Sequence, residues 1–214
     1  MKHSIRKFHI GFSCLLVALL AACNSSIDDS DTALPPTSTT ETIILSTETG
    51  ALSVDDANSN TSNFILSSLV MEDDGRLPED YTCEGQSISP PLSWAGAPQG
   101  TVSYALTMHH VPGPGDTHWY WVVYNIPAEI QSIAAGQINF GTFGTNSVNA
   151  ERAYAPPCSK GEGDKLYTIT VYALSASPNF PDPSLVDYDT LLVTIEDITL
   201  AQSSMDVWFD RYNP

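Results

Sequence analysis

The stretch Trp119-Tyr120-Trp121-Val122-Val123-Tyr124-Asn125-Ile126 consists almost wholly of aromatic and β-branched residues. Val102–Met108 and Tyr167–Leu174 have a similar composition, and clusters of Gly and Pro bound these runs. Aromatic and β-branched side chains favour strands, whereas Gly and Pro favour the turns between strands. The three runs therefore predict three β-strands.

Shorter runs on either side extend this pattern. Phe64-Ile65-Leu66 opens another strand-like run, and Leu185–Val193 predicts a short helix. Leu200–Phe209 fits either a strand or a second helix. Many short strands within residues 63–214 predict one mainly β domain, a β-sandwich with one or two short helices.

The N-terminal segment has the pattern of an export signal. Three basic residues lie within its first seven positions, and Ile10–Ala22 is apolar and uncharged. That run is shorter than the roughly 20 apolar residues of a membrane-spanning helix, and it fits the apolar region of a secretory signal. It ends in Leu20-Ala21-Ala22-Cys23, which resembles the lipobox of bacterial lipoproteins. We therefore expect residues 1–22 to be removed and Cys23 to be acylated, an ordinary cleaved signal being the alternative.

The segment after the signal predicts a tether. Residues 23–62 are rich in Ser, Thr, Asp, Glu and Asn and contain no Lys or Arg. Such a composition buries too little apolar surface to offset the entropy of ordering. Asn24, directly after Cys23, favours the outer membrane by resemblance to Gram-negative lipoproteins. We expect a lipid-anchored protein of the bacterial cell envelope that faces the periplasm or the cell surface.

The charge balance limits the partners. After residue 22 the chain has five basic residues against 25 acidic ones. Nucleic acid is excluded as a partner, because phosphate contacts require a basic surface. Anionic lipid surfaces would repel the domain, so membrane attachment must come from the acyl chains on Cys23.

Two cysteines remain besides those of the signal and the anchor. They are Cys83 and Cys158. A pair of spare cysteines in an exported protein predicts a disulfide. Two separate buried thiols are the alternative.

Four blocks of sequence occur in the same order and spacing as in a known family. They are Tyr81–Gly85 with Ile88–Trp94 and Gly100–Leu106; Trp119–Ala128; Tyr154–Cys158; and Tyr167–Leu174. Together these blocks resemble the phosphatidylethanolamine-binding protein family, and more closely its bacterial Raf-kinase-inhibitor-like branch, over about residues 64–211. The resemblance implies a β-sandwich with a small pocket near one end that accepts phosphate-like head groups.

The polar residues of that pocket depart from the family pattern. The family loop Asp-Pro-Asp-Ala-Pro corresponds here to His110-Val111-Pro112-Gly113-Pro114, so His110 replaces the pocket aspartate. Tyr120 and Lys165 stand where the family places two histidines. The loop Gly-Pro-Cys-Pro corresponds to Pro156-Pro157-Cys158-Ser159.

The replaced residues still form a coherent set of donors. His110, Tyr120 and Lys165 can all donate hydrogen bonds, and Lys165 carries a positive charge. His118 shares one face of its strand with Tyr120. We expect these four residues and Pro157 to bind a small anion or a phospholipid head group. The alternative is a vestigial pocket in which Tyr120 only fills space.

Two other functions remain open. His109, His110 and His118 lie within ten residues, and His is a common metal ligand, so a metal-dependent binder or hydrolase is one alternative. Their spacing matches no standard metal motif, and a solvated loop that carries histidines explains it as well. A protein-interaction or inhibitor module is the other alternative, by analogy of fold alone.

Catalysis receives no support from the sequence. It contains no Gly-x-Ser-x-Gly motif, and an oxidised Cys83–Cys158 pair would offer no thiolate. We expect a binding protein rather than an enzyme, with no catalytic residue and no cofactor.

Overall fold

The computed structural model describes residues 63–212. The signal peptide, Cys23 and the tether lie outside the described residues. Within the described range, no helix has the length and apolarity needed to cross a membrane.

Nine strands, one α-helix and three short 3-10 turns make up the described part of the chain. The strands are β1 (Ile65–Ser67), β2 (Gly75–Arg76), β3 (Leu92–Ala95), β4 (Ser103–Gly113), β5 (Asp116–Pro127), β6 (Ser132–Ile133), β7 (Thr142–Phe143), β8 (Lys165–Leu174) and β9 (Thr199–Phe209). The helix α1 is Tyr188–Ile195, and the 3-10 turns are Glu79–Tyr81, Pro183–Leu185 and Glu196–Ile198.

The strands form two sheets. The large sheet has the order β2-β9-β8-β4-β5-β7, and the small sheet has the order β1-β3-β6. The long strands β4, β5, β8 and β9 are antiparallel to their neighbours, and only the short β2 pairs in parallel with β9. The predicted mainly β architecture is confirmed, and the three aromatic and β-branched runs are the long strands β4, β5 and β8.

Side chains alternate between the two faces of the large sheet, and each face packs in a separate core cluster. One face packs with the small sheet, as shown by the contacts that join Trp94 of β3 to Tyr104 of β4 at 5.5 Å between ring centroids. The opposite face packs beneath α1, where Leu191 and Ile195 meet Val122 of β5. Each fully buried large apolar side chain contributes roughly 1.5–3 kcal/mol, so both layers stabilise the sheet that carries the site.

A bulge in β5 departs from simple alternation. Met108 pairs with Trp121, and the next residue, His109, pairs with Trp119, so Tyr120 is an extra residue on β5. Tyr120 and Trp121 therefore both join the core between the sheets. A bulge re-aims side chains, and this one directs Tyr120 to the face that carries the site described below.

The structure also settles the open assignments near the C-terminus. The helix lies at Tyr188–Ile195, and the Asp187 carboxylate caps it by accepting a hydrogen bond from the Thr190 N–H at 2.8 Å. The run at Leu200–Phe209 belongs to strand β9, which pairs with β8 along its whole length.

The prediction that the histidines lie on a solvated loop is wrong. β4 continues to Gly113 and β5 begins at Asp116, so the histidines lie on the two strands of a tight hairpin.

Candidate functional site

A cavity of about 410 Å³ lies where the β4–β5 hairpin, the start of β8 and the segment 156–160 meet. It brings together four of the five predicted ligand-binding residues. These are His110, His118, Tyr120 and Lys165.

Pro157 is the exception, since it is not among the residues that line the cavity. Its neighbours Pro156 and Cys158 line the cavity, whereas Pro157 is buried. The Pro157 carbonyl accepts a hydrogen bond from the Cys83 N–H at 3.0 Å. Pro157 therefore holds the segment to the domain instead of meeting a ligand.

The two cavity histidines face each other across the hairpin. His110 on β4 is the direct register partner of His118 on β5. The His110 Nδ1 lies 2.7 Å from the Leu166 carbonyl oxygen, so this nitrogen carries the proton and donates it. In the neutral ring Nε2 is then an acceptor, and it can donate to an anion only when the ring is protonated. The His118 Nε2 lies 3.3 Å from an oxygen of Asp116, an exposed carboxylate outside the lining.

Lysines supply the fixed positive charge. The Lys165 Nζ donates to the carbonyls of Glu162 and Gly163 at 2.8 and 2.7 Å. One of its three N–H groups therefore remains available. Lys160 also lines the cavity, which sequence reasoning missed although it directly follows the matched loop.

Three side chains with hydroxyl groups lie close together, and two of them line the cavity. The rings of Tyr120 and Tyr167 meet edge to face at 5.1 Å, and Ser159 lines the cavity beside them. Burial raises the pKa of both tyrosines, while hydrogen bonding by the Ser159 and Tyr120 hydroxyls acts to lower the pKa of Tyr167. All three groups are therefore neutral donors.

Two of these hydroxyls are poorly satisfied. The Tyr167 hydroxyl and the Ser159 Oγ are buried, and although they lie close enough to each other to affect the Tyr167 pKa, neither has a described partner at full hydrogen-bond geometry. A buried polar group without a partner costs roughly 1–3 kcal/mol. A bound oxygen that reached them would remove part of that cost.

A disulfide fixes the segment that forms one wall. Cys83 and Cys158 are bonded, and 75 residues separate them in sequence. The Tyr154 hydroxyl, nearby in sequence, donates to the Tyr81 carbonyl. The wall formed by Pro156 and Ser159 is therefore tied to the 3-10 turn at Glu79–Tyr81 and the residues after it.

Residues 67–210 match the family model described as phosphatidylethanolamine-binding protein. The chain belongs to this family.

Individual proteins also match the sequence of this member of the phosphatidylethanolamine-binding protein family. A UPF0098 protein of Methanothermobacter thermautotrophicus is 33% identical over 114 residues, which are 51% of this chain and 75% of that protein. A UPF0098 protein of Chlamydia muridarum is 30% identical over 134 residues, or 60% of this chain and 87% of that protein. YbcL of Escherichia coli is 33% identical over 105 residues, and the match spans 44% of this chain and 56% of YbcL.

Solved structures of the family share the fold. A phosphatidylethanolamine-binding protein homolog from Chlamydia trachomatis superimposes with a TM-score of 0.64 at 25% identity, over 71% of this chain and 99% of that one. The crystal structure of Escherichia coli YbcL gives a TM-score of 0.62 at 23% identity, over 69% of this chain and 98% of that one.

In this family member, His109 lies away from the cavity. Its ring packs against Tyr188 of α1 at 5.1 Å, on the face of the sheet opposite to His110. Burial lowers the pKa of His109; the charge of Asp206 acts against this effect, and His110 adds to it. The geometry therefore excludes a metal site that uses all three histidines.

Among residues 63–212, one group of three side chains has metal-ligand character. It consists of Cys83, Glu84 and Cys158. The disulfide consumes both thiols, so this group offers no metal site in place of the one predicted for the three histidines.

Proposed function

We propose that this chain is a lipid-anchored protein of the bacterial cell envelope whose cavity binds a small anion or a phospholipid head group. One observation carries the proposal. The cavity collects Lys160, Lys165, His110 and His118, and its lining contains no carboxylate. This is notable in a chain with 25 acidic residues and eight Lys and Arg.

The electrostatics favour an anion at this place. Hydrogen bonds from charged donors to an anion are shorter and roughly twice as strong as neutral ones. Lys165 offers one remaining N–H, and its position is fixed by its two backbone acceptors. The His110 ring is likewise held at Nδ1, and its Nε2 donates to an anion when the ring is protonated. Less order is lost on binding when the donors are held in advance.

The hydroxyls support a ligand that carries several oxygens. Ser159 lines the cavity, and Tyr167 packs against the lining residue Tyr120 without lining the cavity itself. A tetrahedral oxyanion can accept hydrogen bonds from the lysines on one side and from the Ser159 hydroxyl on the other. Sulfate, phosphate and phosphate esters share this chemistry.

The presence of His110 in the cavity favours a change in ligand preference. By the family resemblance, His110 replaces an aspartate, so the lining lacks a carboxylate that would repel a bare phosphate and attract an ammonium group. We therefore expect phosphate and sulfate to bind at least as well as phosphoethanolamine, a zwitterion that brings its own positive charge.

A thermal-shift screen tests the proposal. The mature chain with Cys23→Ser would be heated with phosphate, sulfate, phosphoethanolamine and, as a control for ionic strength, chloride. A ligand at 100 times its Kd stabilises the folded state by about 2.7 kcal/mol, so the first three ligands should raise the Tm above the chloride value. Equal Tm values in all four salts would contradict anion binding.

One observation favours a protein partner as the second candidate. Val148, which lines the cavity, is 54% exposed. An exposed apolar side chain beside a cationic cavity also suits a protein surface that presents an acidic group. If anions leave the Tm unchanged and envelope proteins can be cross-linked through residue 148, a protein partner becomes the leading candidate.

A further inference from the structure

A second cavity, which we call the Arg152 groove, shares no lining residue with the anion cavity. Its volume is about 380 Å³. The lining includes Ile88, Ile138, Phe143, Tyr154 and, at the polar side, Arg152. The segment from residue 152 to 160 therefore lines the groove at its start and the anion cavity at its end.

The groove is mainly apolar and its wall is firm. Ile88, Phe143 and Tyr154 pack against the core between the sheets, so their positions are set by the fold. Ile138 is 70% exposed, which leaves one apolar wall open to solvent. Apolar walls with few polar groups are typical of sites for small molecules.

Arg152 is held in place while most of its donors remain available. Its Nε donates to the Phe143 carbonyl at 2.9 Å. Asp182 is near enough to feel its charge, but the pKa of Asp182 is lowered first by hydrogen bonds from Ser184 and only last by Arg152. No carboxylate in the described range lies within ion-pair distance of Arg152.

The other two arginines of the domain differ in this respect. Arg76 pairs with Asp164, and Arg211 pairs with Glu84. Carboxylates outnumber cations about threefold in this chain, so an arginine without a carboxylate is the exception. The terminal guanidinium nitrogens of Arg152 form a planar fork that matches a carboxylate.

We propose that the Arg152 groove binds a small organic monocarboxylate with an apolar chain. The carboxylate bonds to the terminal nitrogens of Arg152, and the chain lies against Ile88, Ile138 and Phe143. At about 30 Å³ per atom, the volume holds on the order of ten non-hydrogen atoms. A specific protein interface would cover about 800 Å² per partner, which is far more than this groove offers.

Octanoate and 1-octanol are the probes, because they match in length and differ in charge. The mature chain with Cys23→Ser would be titrated with octanoate below its micellar concentration and with 1-octanol below its solubility limit, and followed by ¹H–¹⁵N NMR. We expect octanoate to shift the amides of Gly136, Gln137 and Ala153 and to bind at least tenfold more tightly than octanol. Arg152→Gln should weaken octanoate by roughly tenfold or more, because it removes a charged donor pair.

Three further variants separate the possible outcomes. Arg211→Gln removes the same charge elsewhere and should leave octanoate binding unchanged, as should Lys165→Met in the anion cavity. Ile138→Asp should weaken binding, since it replaces an exposed apolar wall with a like charge. Equal affinity for octanol and octanoate, shifts confined to the anion cavity, an unaffected Arg152→Gln variant or no binding at 10 mM octanoate would each overturn the proposal.

Discussion

Tyr167 and Ser159 illustrate, at the scale of single residues, how a site differs from ordinary core. Tyr167 is wholly buried, yet its hydroxyl meets the Ser159 and Tyr120 hydroxyls without full hydrogen-bond geometry in the described part of the chain. Tyr154, by contrast, satisfies its hydroxyl on the Tyr81 carbonyl. A fold selected for stability alone would favour Phe at position 167, because the ring packs and the hydroxyl only adds a desolvation cost.

Tyr167→Phe should therefore separate stability from binding. We expect the ligand-free variant to be as stable as wild type or up to about 1 kcal/mol more stable, while phosphate or sulfate affinity falls roughly two- to tenfold. Urea unfolding and calorimetry measure the two effects. Tyr154→Phe is the matched control and should lose stability instead, because its hydroxyl has a partner. An equal loss of stability in both variants would show that the Tyr167 hydroxyl is satisfied within the protein.

At the scale of elements, α1 packs on the large sheet through aromatic contacts that include a histidine. The rings of Trp119 and Tyr188 stack at 6.2 Å, and His109 packs against Tyr188. Burial raises the pKa of Tyr188 to about 12. His109 Nδ1 is buried without a partner among residues 63–212, so the neutral ring fits this interface and the protonated ring does not.

The stability of the domain should consequently depend on His109 at acidic pH. Burial lowers the pKa of His109 from 6.5, so below about pH 6.5 the unfolded chain binds a proton that the folded chain does not. The His109 contribution is fully present above pH 6.5 and is lost as the pH falls through the folded pKa. Urea unfolding should show that the free energy of unfolding falls less between pH 8 and pH 5 for His109→Phe than for wild type. Identical losses would contradict a buried neutral His109.

The disulfide joins two segments that no strand pairing connects. Cys83 follows the 3-10 turn at Glu79–Tyr81, and Cys158 lies in the wall of the anion cavity. In the chain-entropy model, closing a loop of 75 residues contributes about 4 kcal/mol, and measured values are often smaller. The double variant Cys83→Ser, Cys158→Ser should lose stability up to that amount and bind anions more weakly.

Non-reducing peptide mapping of the exported protein checks the bond directly. The peptides that contain Cys83 and Cys158 should be recovered as a linked pair. Two thiols that react with an alkylating agent in the native protein would refute the disulfide.

The elements that the sequence predicts well are those with a strong local pattern. The runs of β4, β5 and β8 carry their own strand propensity, and the helix appears within three residues of its expected start. The strand continuation through His110 and Pro112 was missed, because Pro and Gly normally interrupt strands and only the hairpin pairing overrides them. The bulge at Tyr120 depends on register between two strands, which no single run of sequence reveals.

At the scale of the whole molecule, the anion cavity was foreseen through family resemblance rather than local pattern. His110, Tyr120 and Lys165 come from three strands, and only the topology brings them to one cavity. Pro157 is buried outside the lining while its neighbours Pro156 and Cys158 line the cavity, so a match of loops does not say which residue faces a ligand. Lys160 and the orphaned hydroxyl of Tyr167 become visible only with coordinates.

Membrane attachment is a prediction that concerns the whole chain. Mass spectrometry of the mature protein should find Cys23 as the first residue with acyl chains attached, because Leu20-Ala21-Ala22-Cys23 resembles a lipobox. Cys23→Ser should release the protein from membranes, since the acidic domain has no attraction for anionic lipid. A free amino group on any other first residue would contradict the lipid anchor.

Anion binding in the cavity is the central claim, and titration calorimetry tests it most directly. Wild type and Lys165→Met, with Arg211→Met as the control for charge, would each be titrated with phosphate, sulfate and phosphoethanolamine. We predict binding to wild type at millimolar concentration or below, a loss of roughly ten- to a hundredfold in Lys165→Met and little change in Arg211→Met. If none of the three anions binds wild type at millimolar concentration, the cavity is vestigial and the claim is contradicted.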